Sequence, residues 1–406
     1  MKIIQAHKYY YQRAGAERVV LGLSRMLSEH GHTVAPFAMR YPKNLPSPWS
    51  QYFVSELSTE AGAGDLLSAL KMFRRAWWSL EAEEKMNQLL KVFRPDVVHA
   101  HNLYTHLSPS ILRACDRHDV PVVMSLHDYA LISANYALWN GDQTMDPDNL
   151  NVWSTANSKF IKGSYLATLA LDLIRAWHHK MHSFDRYISE YIAPSEFVRD
   201  VFIANGFSGS KISVFPIFSD APAQTKKTDQ GFVLFAGRLE RYKGVEVLIE
   251  AMKEYPETKL KIVGNGPDES RLRSLSDGMT NIEFAGFMRG DALWEEMRQA
   301  RVVVVPSVWH EPFGLVALEA MSNSTPVIVS DRGGLQEILE EGISGSVYNA
   351  DDSYDLVRAL SPYLADEQFA LGRGRAAFTR ANLIGSKDRY LQKILKIYQQ
   401  VQAVNK

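Results

Sequence analysis

The chain has 406 residues and one cysteine, Cys115. A single thiol excludes an internal disulfide framework and a cysteine-rich zinc site, and it suits a reducing compartment. Long apolar runs are missing as well. No stretch approaches the roughly 20 apolar residues that a membrane-spanning helix needs. An excess of one charge is also absent, because 45 Lys and Arg face 46 Asp and Glu, leaving a formal net charge of −1. That balance gives no support for general nucleic-acid binding. Met1–Gln5 opens on a strand-like run without the basic segment and apolar core of a signal peptide, so the expected location is cytoplasmic. What is present is an ordinary globular composition, 46% hydrophobic and 22% charged. At this length two domains are the default.

Strand-like and helix-like segments alternate twice along the chain. Lys2–His7, Thr33–Ala38, Val97–His101 and Pro121–His127 read as strands of a first half, with further strands at Tyr187–Ala193 and Lys211–Phe215. The helices expected between them are Ala16–His30, Asp65–Phe93, a stretch around Leu107–His118, and Phe160–Phe184. Ala130–Lys159 has no clear period, and loops of that length are usually functional or mobile. Ser219–Gly231, with Ala221-Pro222-Ala223 and Lys226-Lys227, reads as a linker. The alternation then restarts with strands at Phe232–Ala236, Lys259–Val263, Ile282–Ala285, Arg301–Val305 and Pro326–Val329. Helices are expected at Val245–Glu254, from Glu269, at Asp291–Ala300, near Leu335–Glu340, and at about Ser386–Val401. The pattern predicts an α/β protein of two doubly wound, Rossmann-like domains, 1–218 and 219–385, facing a central cleft. The last helix, about 386–406, would cross back to the first domain.

The most informative stretch is Val305–Met321, V-P-S-V-W-H-E-P-F-G-L-V-A-L-E-A-M. A buried strand leads into a loop and then into a helix beginning near Gly314. Glu311 stands before that helix and Glu319 within it, seven residues apart in between. Free amides and the dipole at a helix start favour anions, phosphates above all, and ligands bind at the carboxyl ends of such strands. Two acids alone also fit a solvated helix face and a helix-start acid. The loop Gly237-Arg238-Leu239-Glu240-Arg241-Tyr242-Lys243-Gly244 carries Arg238 and Lys243, which can converge on phosphate oxygens or stand as solvated cations. Gly264-Asn265-Gly266-Pro267 permits close approach of backbone to a ligand, or makes a tight turn. His127 ends its strand at the same kind of carboxyl edge, where a structural and a functional role are about equally weighted.

Together, Ala14-Gly15-Ala16-Glu17-Arg18, His127, Gly237-Arg238-Leu239 with Lys243-Gly244, Gly264-Asn265-Gly266-Pro267, and Glu311-Pro312-Phe313-Gly314 followed by Glu319 resemble the family-4 retaining glycosyltransferases of the GT-B fold, in the family's order. The resemblance implies a nucleotide-sugar donor, with a UDP-sugar favoured over a GDP-sugar, and no required metal or other cofactor. It implies that Arg238 and Lys243 hold the diphosphate and stabilise leaving-group charge. Glu319 would bind the ribose and Glu311 the transferred sugar. The amides near Phe313, Gly314, Leu315 and Val316 would add hydrogen bonds. Phe287 and Met288 would flank the base, His127 would lie near sugar and acceptor, and Gly15, Gly237, Gly264 and Asn265 would line the donor pocket. The chain departs from the family where relatives often have two adjacent glycines and this sequence has Ala14-Gly15. It departs again where they carry Pro-Asn-Gly and this sequence has Pro216-Ile217-Phe218.

The acceptor expected from the resemblance is a saccharide or lipid-linked saccharide. Lys71-Met72-Phe73-Arg74-Arg75-Ala76-Trp77-Trp78 mixes cations and aromatics at helical spacing, which suits either a helix lying on an anionic membrane or one packing its aromatics into the core. His178, His179 and His182 are expected on a solvated helix face rather than around a metal. Two rival functions share the fold class. One is a nucleotide-sugar epimerase or hydrolase, and the other a non-catalytic nucleotide-sugar or saccharide-binding module.

Overall fold

The computed structural model describes residues 1–57, 66–226 and 228–404. It contains two six-stranded, wholly parallel sheets. The first has β1 Lys2–Ala6, β2 Thr33–Phe37, β3 Val97–Ala100, β4 Val122–Ser125, β5 Ile188–Ala193 and β6 Ile212–Val214, in the order β2-β1-β3-β4-β5-β6. The second has β7 Val233–Ala236, β8 Leu260–Val263, β9 Ile282–Gly286, β10 Val302–Val305, β11 Val327–Ser330 and β12 Gly345–Tyr348, in the order β12-β11-β10-β7-β8-β9. β10 is four consecutive valines, all buried. Continuous β-branched runs of this kind suit strands covered on both faces by helices.

Strand order sets where ligands can bind. In the first sheet the connections leaving β1 and β3 run to opposite sides, and in the second those leaving β7 and β10 do so. A crevice opens at each such switch point, outside the carboxyl ends of the strands. The helix Lys387–Val404 packs on the first sheet. Tyr390, Leu391, Ile394, Ile397, Tyr398 and Val401 join Ile3, Val19, Leu23 and Val97 in one apolar cluster, and the Tyr398 hydroxyl lies 2.7 Å from His99 Nδ1.

Several elements differ from the sequence expectation. The helix expected over Asp65–Phe93 is two helices, Leu66–Trp77 and Leu80–Phe93; Asp65 lies outside the described residues. Ser79 separates them, because its hydroxyl accepts the Ala82 N–H at 3.1 Å and starts a new helix. The Phe160–Phe184 helix is shorter, Tyr165–Lys180, and is capped by Ser164. No helix forms at Leu335–Glu340. There the carbonyls of Glu337 and Ile338 accept from the Arg380 guanidinium, so a side chain replaces the helical N–H donors. Ala130–Lys159 contains a short helix, Val152–Asn157, with Asn151 as its cap. The linker segment has no regular element among its described residues; Lys227 lies outside them.

The histidines of the Tyr165–Lys180 helix are not all solvated. His178 is 3% exposed, and His179 Nε2 bonds the Asn205 carbonyl at 2.9 Å. Because the helix is covered by the Leu66–Trp77 helix, the face carrying His178 turns inward. Trp77 and Trp177 sit 4.5 Å apart between ring centres. Arg75 is buried as well, donating to the Ser55 carbonyl and pairing with Glu81. Phe73 and Arg74 of the same segment are exposed. The Lys71 side chain lies outside the described residues.

Candidate active site

A cavity of about 1740 Å³ runs between the two halves. All the candidate residues line it: His127, Arg238, Lys243 and Glu311, together with Gly15, Gly237, Gly264, Asn265, Phe287, Met288, Phe313, Gly314, Leu315, Val316 and Glu319. The second switch point brings Arg238, Lys243, Glu311 and Glu319 together, since the loop after β7 carries the two cations and the loop and helix after β10 the two acids.

Glycine geometry locks those loops together. Gly264 has φ +147°, and a Cβ there would collide with the Gly237 carbonyl. Gly244 has φ +69°, and its Cβ would collide with the Pro306 carbonyl. These glycines are therefore required by backbone packing between neighbouring loops, whatever a ligand does.

The charges are paired. Lys243 Nζ lies 2.5 Å from Glu311 Oε1, which also accepts from Ser307 Oγ at 2.8 Å. The ammonium sits 4.8 Å from the centre of the Trp309 ring. Arg238 is more exposed and pairs with Glu240 at 2.5 Å. Glu319 is fully buried and accepts the Arg18 guanidinium on both oxygens, across the cleft. Arg18 ends the Ala14–Arg18 motif, whose local pattern assigns it no role. Its partner is 301 positions away, and no local pattern signals that.

Further contacts hold the halves against each other beside the cavity. The Ser195 hydroxyl donates to the Pro312 carbonyl at 2.7 Å. The Glu337 carboxylate accepts the Glu196 and Phe197 N–H groups at 2.7 and 2.8 Å, at the start of the Glu196–Ala204 helix. An acid at a helix start is favoured by the dipole. Thr144 Oγ1 donates to the Val308 carbonyl at 2.7 Å, so the long aperiodic stretch becomes part of the wall.

His127 belongs to a buried relay. Its Nε2 lies 2.9 Å from His101 Nδ1, and His101 Nε2 lies 2.7 Å from Gln5 Oε1. An amide oxygen accepts only, so His101 carries its proton on Nε2 and its Nδ1 accepts from His127. His127 then keeps an unprotonated Nδ1. Burial, and after it nearby His7, lowers the His127 pKa to about 3; burial also holds His101 well below its ordinary value. Both rings are neutral at physiological pH, so His127 presents a hydrogen-bond acceptor, not a cation.

Asp128, next in the chain, accepts the Ala130 N–H at 3.0 Å. Desolvation raises its pKa to about 6. Its folded value lies above the unfolded value of about 3.9, so its contribution to stability is greatest below pH 4 and is lost as pH rises through 6. Calorimetry from pH 4 to 7 should show a fall in melting temperature that levels off above 6 and that Asp128→Asn flattens, with a slope from this group of at most about 1.4 kcal/mol per pH unit. Parallel curves for the two proteins would mean that Asp128 ionises normally. Among the described residues no group of three or more His, Cys, Asp or Glu is arranged to hold a metal ion.

Two family models match the sequence. Residues 13–220 match Glycosyltransferase Family 4, and residues 217–380 match Glycosyl transferases group 1. The chain belongs to glycosyltransferase family 4. A glycosyltransferase of Methanocaldococcus jannaschii is 31% identical over 281 residues, 66% of each chain. The sulfoquinovosyl transferase of Arabidopsis thaliana is 34% identical over 37% of this family member and 29% of its own length. The phosphatidyl-myo-inositol mannosyltransferase of Mycobacterium leprae is 33% identical over 48% of this chain and 53% of its own length. The matches thus span about two thirds or less of these relatives. Solved structures share the fold of this family member along nearly its whole length. The sucrose-phosphate synthase of Thermosynechococcus elongatus gives a TM-score of 0.73 at 19% identity, covering 99% of both chains. Anabaena HepE in complex with UDP and glucose gives 0.64 at 18%, covering 98% of this chain and 99% of its own. The two parallel sheets are those of the GT-B glycosyltransferases. No helix among the described residues is long and apolar enough to cross a membrane.

Proposed function

We propose that this chain is a retaining glycosyltransferase that needs no metal and moves a sugar from a nucleotide-sugar to a saccharide or lipid-linked saccharide. UDP is the first nucleotide to test, being the one in the Anabaena structure of this fold. The observation that carries the reading is the convergence of Arg238 and Lys243 with Glu311 and Glu319 at one switch point. A cation pair beside two buried acids matches a diphosphate flanked by two hydroxyl-bearing rings.

Donor entry would then exchange partners. Lys243 releases Glu311 and takes a phosphate oxygen; Glu311, still fixed by Ser307, takes a hydroxyl of the transferred sugar. Glu319 trades Arg18 for the ribose. Leu315 and its neighbours at the helix start offer amides to phosphate, and Phe287 with Met288 flanks the base. The reacting bonds balance simply. The acceptor oxygen bonds the anomeric carbon as the bond from that carbon to the phosphate oxygen breaks, and the acceptor proton passes to that departing oxygen on the same face. Lys243 and Arg238 stabilise its charge, which is electrostatic catalysis by fixed cations. His127 Nδ1 accepts a sugar hydroxyl and orients it.

The biological setting in this proposal is polysaccharide or glycoconjugate assembly in the cytoplasm. The mannosyltransferase relative is named for a phospholipid acceptor. A lipid-linked acceptor would bring the protein to the inner face of a membrane, where Phe73 and Arg74 are the exposed residues to meet it. The deciding experiment is a thermal-shift panel of UDP, GDP and ADP with EDTA present. One nucleotide should raise the melting temperature by several degrees, and Arg238→Ala should abolish most of that rise. No shift with any nucleotide would sink the donor assignment, and a shift abolished by EDTA would sink metal independence.

A further inference from the structure

The first sheet has a switch point of its own, between β1 and β3. The loop after β1 carries Lys8, Tyr9 and Arg13, and the loop after β3 carries Thr105 and His106; all of them line the cavity. Lys8 Nζ lies 4.9 Å from the centre of the Tyr9 ring, and the Arg13 guanidinium carbon 5.2 Å from it. Two cations therefore converge on one ring. Neither forms an ion pair with another described residue. The acids nearest them are engaged elsewhere, Glu17 with His7 and the Ala14 N–H, and Asp128 with the Ala130 N–H. Burial and the adjacent Arg13 lower the Lys8 pKa to about 8, against the opposing pull of Glu17 and Asp128, so desolvation outweighs the nearby acids.

An independent observation lies beside this pair. His106 is 4% exposed, and the Thr105 hydroxyl occupies its Nδ1 at 2.8 Å, while Nε2 has no partner. Its ring centre is 6.2 Å from that of Tyr9. Past His106 the cavity continues between the Leu66–Trp77 and Tyr165–Lys180 helices. Its walls there include Met72, Phe73 and Ala76 on one side and Leu171 and Ile174 on the other, with His178 and Arg175, the latter held by Asp172, beside them. A nucleotide-sugar has nothing apolar of that shape to bury against them, whereas each methylene removed from water is worth about 0.8 kcal/mol.

We infer that this second crevice is the acceptor site and that it selects, of the two acceptors proposed, the saccharide carried on a lipid phosphate, a sugar hydroxyl being the attacking oxygen. The acceptor's phosphate sits between Lys8 and Arg13, and its hydrocarbon chain lies between the two helices. The inference rests on the transferase reading, because the crevice opens into the cavity that holds Lys243 and Glu311. An Arg fork beside a Lys point charge matches phosphate oxygens, His106 with its unpartnered nitrogen adjoins the same Tyr9 ring, and apolar side chains line the cavity beyond.

Calorimetric titration of the full chain with decyl phosphate, decanol and inorganic phosphate, each below any micelle concentration, tests it. Decyl phosphate should bind at least tenfold tighter than either fragment. A Lys8→Met/Arg13→Met double variant should lose that phosphate increment and keep its weak affinity for decanol. Phe73→Glu, at a half-exposed position that should fold, should weaken decyl phosphate at least fivefold without changing inorganic phosphate. UDP titrated into the same samples separates the two readings. UDP binding without decyl phosphate binding overturns the lipid-phosphate site alone, as does equal decyl phosphate binding by wild type and the double variant. Loss of both ligands overturns the donor reading with it.

Discussion

Lys243→Ala is expected to slow sugar transfer by about 10²–10³-fold, the range seen when one preorganised donor to developing charge is removed. Nucleotide affinity should fall much less, because Arg238 and the helix-start amides remain. The split arises from timing. Charge on the leaving phosphate is greatest in the transition state, and only interactions stronger there than in the bound substrate change turnover. Lys243 also has a resting role, holding Glu311 at 2.5 Å, so its removal leaves a buried carboxylate with Ser307 alone and should lower the melting temperature too. Steady-state kinetics on folded protein separates these effects. If turnover changes less than tenfold while the melting temperature drops, Lys243 is only the structural partner of Glu311, and the catalytic role is wrong.

Gly264→Ala is expected to destabilise the fold by about 2–5 kcal/mol, combining backbone strain at a glycine-only conformation with overpacking. The added methyl would meet the Gly237 carbonyl, which is backbone and cannot rotate away. Chemical denaturation read by circular dichroism should show the midpoint falling at unchanged slope. A loss under 1 kcal/mol would mean that the two loops can move apart, and that the glycines serve ligand approach instead. The distinction bears on the donor site, since the same two loops present Arg238 and Asn265 to the cavity.

Much of the site was legible because its signals are local. Glu311 and Glu319 are tied by a strand, a loop and one short helix, so their spacing places both at a helix start. Arg238 and Lys243 lie in a single loop. The alternation of apolar runs, four valines at β10 being the plainest, identified strands without reference to anything distant. Even the family resemblance is carried by short motifs of this kind.

Other elements depend on distant chain segments and left no local trace. The Leu335–Glu340 stretch has a helical period, but Arg380 occupies its carbonyls and Glu337 is drawn to the start of the Glu196–Ala204 helix. His178 looks solvated on its own helix and is buried by a neighbouring one. Gln5 meets His101 and through it His127 by virtue of strand order, and Arg18 meets Glu319 because helices of the two sheets pack across the cleft.

The sequence by itself determined the class of fold, the two parallel α/β halves and the loops proposed to hold the donor, because hydrophobic period, glycine and charge spacing act over a turn or a loop. Only the tertiary structure decided which strands are neighbours, and hence which loops face each other across a crevice. That choice brought Lys8, Arg13 and His106 together and fixed the tautomer of His127, while the packing of the two halves placed Arg18 on Glu319. Each depends on packing between segments far apart in the chain, where the energy of contact is set by shape and burial and no repeating pattern encodes the partner.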